Sequence, residues 1–264
     1  MLTPDSPAFT EVRDLLDREA RLFNSPDFIP QDPVQFPRQF SDPRDIEIAA
    51  LLASTIAWGN RTMICRSATR MFSLMDWQPY KYMMDCGYDD LPEQRANIHR
   101  TFFTDNLAHY LRGLRPIYAR FGSLDSFAAS LRPVSGFWHG ASWDIARAIN
   151  ARLTLANGGH TDPRCLPVGD GKSALKRFNM ALRWLVRDDG IVDLGIWKSV
   201  KPTELYIPLD VHVGNISRDL GLTDRRANDR RTVEEITSIL RCMNPADPAV
   251  YDYALFGLGI AGPH

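Results

Sequence analysis

Two segments in the second half of the chain carry groups that could do chemistry together: LPVGDGKSALKRFNMALRWLVR, residues 166–187, and IPLDVHVG, ending at Gly214. They supply an amine and a carboxylate. Read as a helix beginning near Gly171, the first segment sets Lys172, Lys176, Asn179, Arg183 and Arg187 at steps of three and four residues, on one basic face with no acid among them. In the second, Pro208-Leu209-Asp210-Val211-His212 reads as a helix start with Pro in the first turn, where the helix dipole favours the anion of Asp210. A lysine and a fixed aspartate suit imine chemistry on a sugar: the amine attacks the anomeric carbon and the carboxylate stabilises the positive charge that develops.

The elements that must position these groups are helical. FTEVRDLLDREARLFN (9–24), DPRDIEIAALLASTIAWGN (42–60), NLAHYLRGLRPIYARF (106–121) and SWDIARAINARLTLAN (142–157) repeat apolar residues at three and four spacing, and strand alternation is nearly absent. Asp42 before Pro43, Ser123 and Ser142 read as N-caps, and Asp247-Pro248 opens a last helix. Breaks fall at 25–41, 87–95, 133–140, 157–171 and 188–207, none long or polar enough for a disordered linker. The expectation is an all-α chain forming a single compact unit over 1–264, with a division into two helical lobes around a cleft as its finer form.

Bulk properties bound the function. With 264 residues, 44% of them hydrophobic, the chain can bury a large core. No apolar run approaches the ~20 residues of a membrane span, and MLTPDSPAFTEVRDLLD lacks the pattern of a signal peptide, so no membrane partner and a cytoplasmic location are expected. Cys65, Cys86, Cys165 and Cys242 are irregularly spaced and read as free thiols. The six histidines form no metal-binding pattern, so neither metal nor other cofactor is expected. A net charge of −1 argues against wholesale attraction to a polyanion, yet leaves room for a locally basic groove. Gly257, Gly259 and Gly262 satisfy G-x-G-x-x-G without a strand before or a helix after, and Gly171-Lys172-Ser173 imitates a P-loop end with Leu at 166 where Gly is required.

The stretch from Lys172 to Gly214 resembles the helix-hairpin-helix DNA glycosylase superfamily, which carries a lysine at one helix start and an aspartate at a later one. Leu51-Leu52-Ala53-Ser54 resembles its LLSAQ-like helix near the flipped nucleotide, LPVGDGKSA the LPGVGRKTA hairpin, and Asp252-Tyr253-Ala254-Leu255-Phe256 the D-x-x-L-W element of archaeal 8-oxoguanine DNA glycosylases. The whole chain is similar to an uncharacterised bacterial family with AWGNR, HRTF, KRxNMxLRWxVR, DxGIWK, PLDVH and YDYALFGLG segments, here starting at Ala57, His99, Lys176, Asp193, Pro208 and Tyr251. The iron–sulfur cysteines of the endonuclease III branch are missing, and the hairpin glycines are rearranged. Asp210 follows Lys176 by 34 residues and Lys172 by 38, a widening explained by an insertion over 188–207.

The resemblance implies a helix-hairpin-helix lobe near 97–220, a second lobe from 1–96 plus 221–264, and a monomer acting on damaged double-stranded DNA. It implies a lysine nucleophile, Lys176 being preferred over Lys172, with Asp210 as its partner and Arg177, Arg183 and the second lysine as neighbouring cations. It further implies a base pocket of Asp252, Phe256 and Trp58, and DNA contacts from Asn60, Arg61, His99, Arg100, Arg177, Arg183 and His212, the substrate being an oxidised purine such as 8-oxoguanine. The residues alone admit plainer readings: surface cations for both lysines, core aromatics for Trp58 and Phe256, a helix end at Gly59-Asn60, and an interhelix loop at His99-Arg100. A nucleic-acid binding protein that keeps the fold without the chemistry is the alternative, and an unrelated helical hydrolase finds no motif. Proximity of Lys176 or Lys172 to Asp210 in one cleft discriminates among these.

Overall fold

A Pro in the first turn or a side-chain cap starts most of the described helices. The computed structural model describes residues 2–168 and 171–261. In chain order, α1 (Pro7–Phe23) leads through three short 3₁₀ turns, Pro26–Gln31, Pro33–Gln35 and Pro37–Gln39, into α2 (Pro43–Thr55). Next come α3 (Arg61–Ser73), α4 (Pro79–Met84), α5 (Leu91–Gln94), the strands β1 (Asn97–His99) and β2 (Phe102–Phe103), and α6 (Thr104–Phe121). The chain continues with α7 (Leu124–Leu131), α8 (Ala141–Ala156), α9 (Lys176–Val186), α10 (Val211–Asp219), α11 (Arg230–Met243) and α12 (Tyr251–Ala261), with 3₁₀ turns at Pro202–Glu204 and Pro248–Val250. Among the described residues the protein is therefore all-α apart from one antiparallel two-stranded ladder and an isolated bridge between Ser173 and Asp229.

Local sequence explains the starts. Asp42 caps α2 by accepting from the Arg44 N–H at 2.8 Å, and Ser123 caps α7 by accepting from Ser126 at 3.0 Å. Ser142 is not a cap: α8 begins one residue earlier, behind Gly140 in a left-handed conformation, and Ser142 is buried inside the helix. The helix expected from Gly171 starts only at Lys176. Leu175 adopts φ +48°, which interrupts any helix upstream, and the Lys172 carbonyl accepts from the Arg230 N–H at 2.8 Å instead. Lys172 thus belongs to a segment tied to the start of α11. Gly169 and Asp170, in the glycine-rich stretch, lie outside the described residues.

The buried apolar side chains form one contiguous cluster with α2 at its heart, where every residue from Ile46 to Thr55 is buried. α2 packs on α9, α6 on α8, and α12 on both α1 and α10. The approach of α12 to α1 depends on Gly257: a Cβ there would meet the Phe23 ring at 2.1 Å. Gly257 and Gly259 thus sit in a helix, consistent with discounting the dinucleotide motif; Gly262 lies outside the described residues.

The segment over 188–207, expected from the resemblance to be an insertion, is packed rather than loose. Leu194 N–H donates to the Trp184 carbonyl at 2.7 Å and Trp197 N–H to the Leu185 carbonyl at 2.8 Å. The Trp197 indole donates to Glu47 at 2.9 Å, as do the Tyr118 hydroxyl and the Leu124 and Asp125 amides. Glu47 is a buried carboxylate that joins α2, α6, the start of α7 and this segment. All four cysteines are free thiols. Among the described residues no helix is long and apolar enough to cross a membrane.

Candidate active site

Lys176 is the first residue of α9 and Asp210 the N-cap of α10, so each reactive side chain leaves the chain at a helix start. Asp210 precedes the first turn rather than lying within it, because its own carboxylate accepts from the Val213 N–H at 3.0 Å, and Pro208 falls outside the helix. Lys176 Nζ is 3.8 Å from Asp210 Oδ2 and 3.8 Å from Met180 Sδ, with both the lysine and the aspartate partly open to solvent. The pair faces a cavity of about 860 Å³. Lys172 does not line that cavity.

The cavity wall is aromatic on one side and acidic at depth. Phe28 meets Phe256 edge-on at 5.6 Å, the Arg61 guanidinium lies 4.2 Å above the Phe256 ring, and Trp58 lines the mouth. Asp252 and Phe256, one turn apart on α12, both line the space, as do Asp32, Arg183 and His212. Asp252 is buried and in direct contact with Arg183. Burial pushes its carboxyl up to about 6 in spite of the positive charges of Arg183 and Lys176.

The expected acid-free basic face does not exist. Arg183 and Arg187 are buried, and acids from the segment just after α9 and from far along the chain reach them: Asp193 contacts both, Asp252 contacts Arg183, and Asp247 and Asp189 contact Arg187 at 2.8 and 3.0 Å. Asn179 is buried too and donates to the Ala174 carbonyl at 3.0 Å. The face of α9 below Lys176 is an internal ion network that braces the cavity floor, in keeping with the rule that buried charges are paired. Arg183 is therefore not placed to meet a phosphate.

The remaining expected DNA contacts divide. Arg177 donates to the Thr55 carbonyl with its guanidinium 4.9 Å from the Trp58 ring, which uses it to hold α9 to the end of α2. His99 is buried between Ser67 Oγ at 3.1 Å and the Trp58 carbonyl at 2.9 Å; burial pushes its pKa down, and a carbonyl can only accept, so Nε2 carries the proton. It positions Trp58 and does not grip a phosphate. Asn60 caps α3 through the Met63 N–H at 3.2 Å, the helix-boundary role its neighbour Gly59 suggests. Gly59 has φ +98°, and a Cβ there would come within 2.6 Å of the Arg100 guanidinium, so exposed Arg100 lies flat against the cavity rim. His212 is exposed and also lines the cavity.

Asp32 is the residue that sequence reasoning missed. It lies in the proline-rich break between α1 and α2, where no periodicity signals it, and only its role as cap of the Pro33–Gln35 turn is a local pattern. Among the described residues no group of three His, Cys, Asp or Glu side chains is placed to hold a metal ion. Chemically, the site offers a primary amine beside a carboxylate, at the mouth of an aromatic cavity of a size that small ligands occupy.

No curated protein and no solved structure matches the chain. Residues 32–261, which hold every cavity-lining residue named above except Phe28, match the model of a family described as a protein of unknown function (DUF2400), and the chain belongs to that family.

Proposed function

We propose that the protein is a DNA base-excision glycosylase with lyase activity, built on a helix-hairpin-helix glycosylase-like fold of two lobes and acting on an oxidised purine such as 8-oxoguanine in duplex DNA. The observation that carries this reading is the 3.8 Å separation of Lys176 Nζ and Asp210 Oδ2 at the mouth of the aromatic cavity. A base extruded from the stack would enter the cavity among Phe28, Phe256 and Trp58, which leaves its sugar at the mouth. Arg100 at the rim and His212 in the cavity lining supply positive charge or hydrogen bonds for the flanking phosphates.

In this mechanism the unprotonated Lys176 amine attacks the anomeric carbon as the bond to the base breaks with its electron pair leaving on the base. Asp210 stabilises the positive charge on the sugar, and the base leaves after taking up a proton. The ammonium formed by the attack gives up a proton, the sugar ring opens as its C–O bond breaks and the ring oxygen takes up a proton, and a protonated imine links Lys176 to the sugar. Loss of a proton from the adjacent carbon then expels the 3′ phosphate, and water releases the lysine.

Borohydride reduces such an imine to a stable amine, so trapping on duplex DNA containing 8-oxoguanine tests the reading. The wild type should form a covalent adduct that Lys176→Gln does not form. No adduct across a panel of damaged bases and an abasic site would discard imine catalysis and favour either a monofunctional enzyme or a protein that binds nucleic acid without cleaving it.

A further inference from the structure

Asp32 stands at the cavity wall with unused capacity to accept hydrogen bonds. One oxygen, Oδ1, takes the Val34 N–H at 3.0 Å. The other, Oδ2, has Arg61 Nη2 at 3.5 Å, at the outer limit of a hydrogen bond. A carboxylate can take about four donors, and this one is only 6% exposed. Asp252, the other buried acid of the wall, is by contrast already occupied by Arg183. Burial pushes the Asp32 carboxyl up, while the Val34 N–H, Arg61, Arg183 and Lys176 favour its anion. Its surroundings therefore supply positive charge without supplying enough donors, and a ligand that brings N–H groups would complete it.

The space beside this carboxylate is bounded by Arg61 and by the Phe28 and Phe256 rings. Arg61 contacts Asp32 and covers the Phe256 ring, so the acceptor and the stacking surface are joined through one side chain. A planar ring resting on that surface would meet Asp32 with its edge. A guanine-type purine presents a ring N–H and an exocyclic amine side by side, two parallel donors that match the two-pronged geometry of a carboxylate. An adenine-type edge sets a donor beside an acceptor nitrogen, and the acceptor faces the carboxylate lone pairs. A pyrimidine such as uracil has acceptors on both sides of its single N–H.

We propose that Asp32 is the specificity-determining residue of this cavity and reads the paired N–H donors of a guanine-type purine edge. The assignment rests on the glycosylase reading and narrows its substrate from an oxidised purine to one that keeps the lactam N–H and the neighbouring amine.

The test compares release of 8-oxoguanine, 8-oxohypoxanthine and 8-oxoadenine from otherwise identical duplexes, with borohydride trapping at an abasic site as a control that contains no base. The wild type should trap at the abasic site and release 8-oxoguanine on the order of ten- to a hundred-fold faster than the other two, the discrimination a bidentate contact supplies. In Asp32→Asn, where an amide N–H replaces one acceptor, that preference should narrow towards parity. Equal wild-type rates for 8-oxoguanine and 8-oxohypoxanthine, which differ by the amine alone, would overturn the assignment without recourse to any variant. So would an Asp32→Asn protein of unchanged melting temperature that kept the wild-type preference. Absence of a wild-type adduct at the abasic site together with no release of any of the three bases would instead sink the glycosylase reading itself, and the assignment with it.

Discussion

Lys176 and Asp210 stand 3.8 Å apart across the cavity mouth, although 34 residues separate them along the chain. Most of the intervening chain is the packed segment over 188–207 that braces α9. The nearness of the two groups distinguishes the two candidate lysines sharply, since Lys172 lies on a segment tied to α11 and does not line the cavity. Lys176→Gln should lose the trapped adduct, and Lys172→Gln should retain it. Loss of the adduct with Lys172→Gln alone would reverse the assignment.

Asp210 serves α10 and the site at once, and two substitutions separate those roles. Asparagine caps a helix about as well as aspartate, so Asp210→Asn should leave thermal stability within about 0.5 kcal/mol of wild type while removing the charge beside Lys176. Release of the base should then fall by about a hundred-fold or more. Asp210→Ala should lose the cap as well, at a further cost of about 1 kcal/mol. Urea midpoints of the three proteins, set beside their cleavage rates, check this; full activity in the asparagine variant would remove Asp210 from the chemistry.

Glu47 should be among the most sensitive positions outside the cavity. Its carboxylate accepts from Tyr118, Trp197 and two backbone amides, all at 2.9 Å. Glu47→Ala strands four buried donors and should destabilise the fold by about 3–5 kcal/mol, whereas Glu47→Gln keeps one acceptor oxygen and should cost less. Calorimetric melting of both variants is the check, and equal losses would mean that packing rather than hydrogen bonding dominates there.

Asp252 ties stability to pH. Its carboxyl is pushed from an ordinary 3.8 up to about 6, first of all by burial. Between those values the folded chain holds a proton that the unfolded chain has released, so the stability this group contributes is present at low pH and lost as pH rises towards 6. The wild type should therefore lose stability relative to Asp252→Asn between about pH 4 and pH 6.5. A difference in urea midpoint that stays constant over that window would contradict the assignment.

The helices and the site were unequally legible from sequence. Apolar spacing marks α1, α2, α6 and α8, and Asp42 and Ser123 cap where their residue types say they should, because these signals are local. The start of α9 was misplaced because the left-handed Leu175 and the hydrogen bond from Arg230 to Lys172 are set by tertiary contacts. Arg183 and Arg187 looked like a solvated basic face for the same reason: Asp193, Asp247 and Asp252, which neutralise them, are dispersed along the later chain. Asp32 was illegible because a carboxylate in a proline-rich loop signals a turn, and only the fold turns it towards α9 and α12. Residue type and helix start coincide at Lys176 and Asp210, which makes them legible as a candidate pair.

The wall of the cavity draws on residues from Phe28 to Gly259, and α12, which brings Asp252 and Phe256, is seated against α1. On the ribosome α1 therefore waits for all of residues 24–250 to be made before its partner helix emerges. Closing so long a loop is slow compared with forming local helices, and α1 must keep its apolar stripe covered by other means in the interval. The site is consequently all-or-none in assembly, and a nascent chain that has already folded α2 and α9 together still lacks any enclosed place for a ligand.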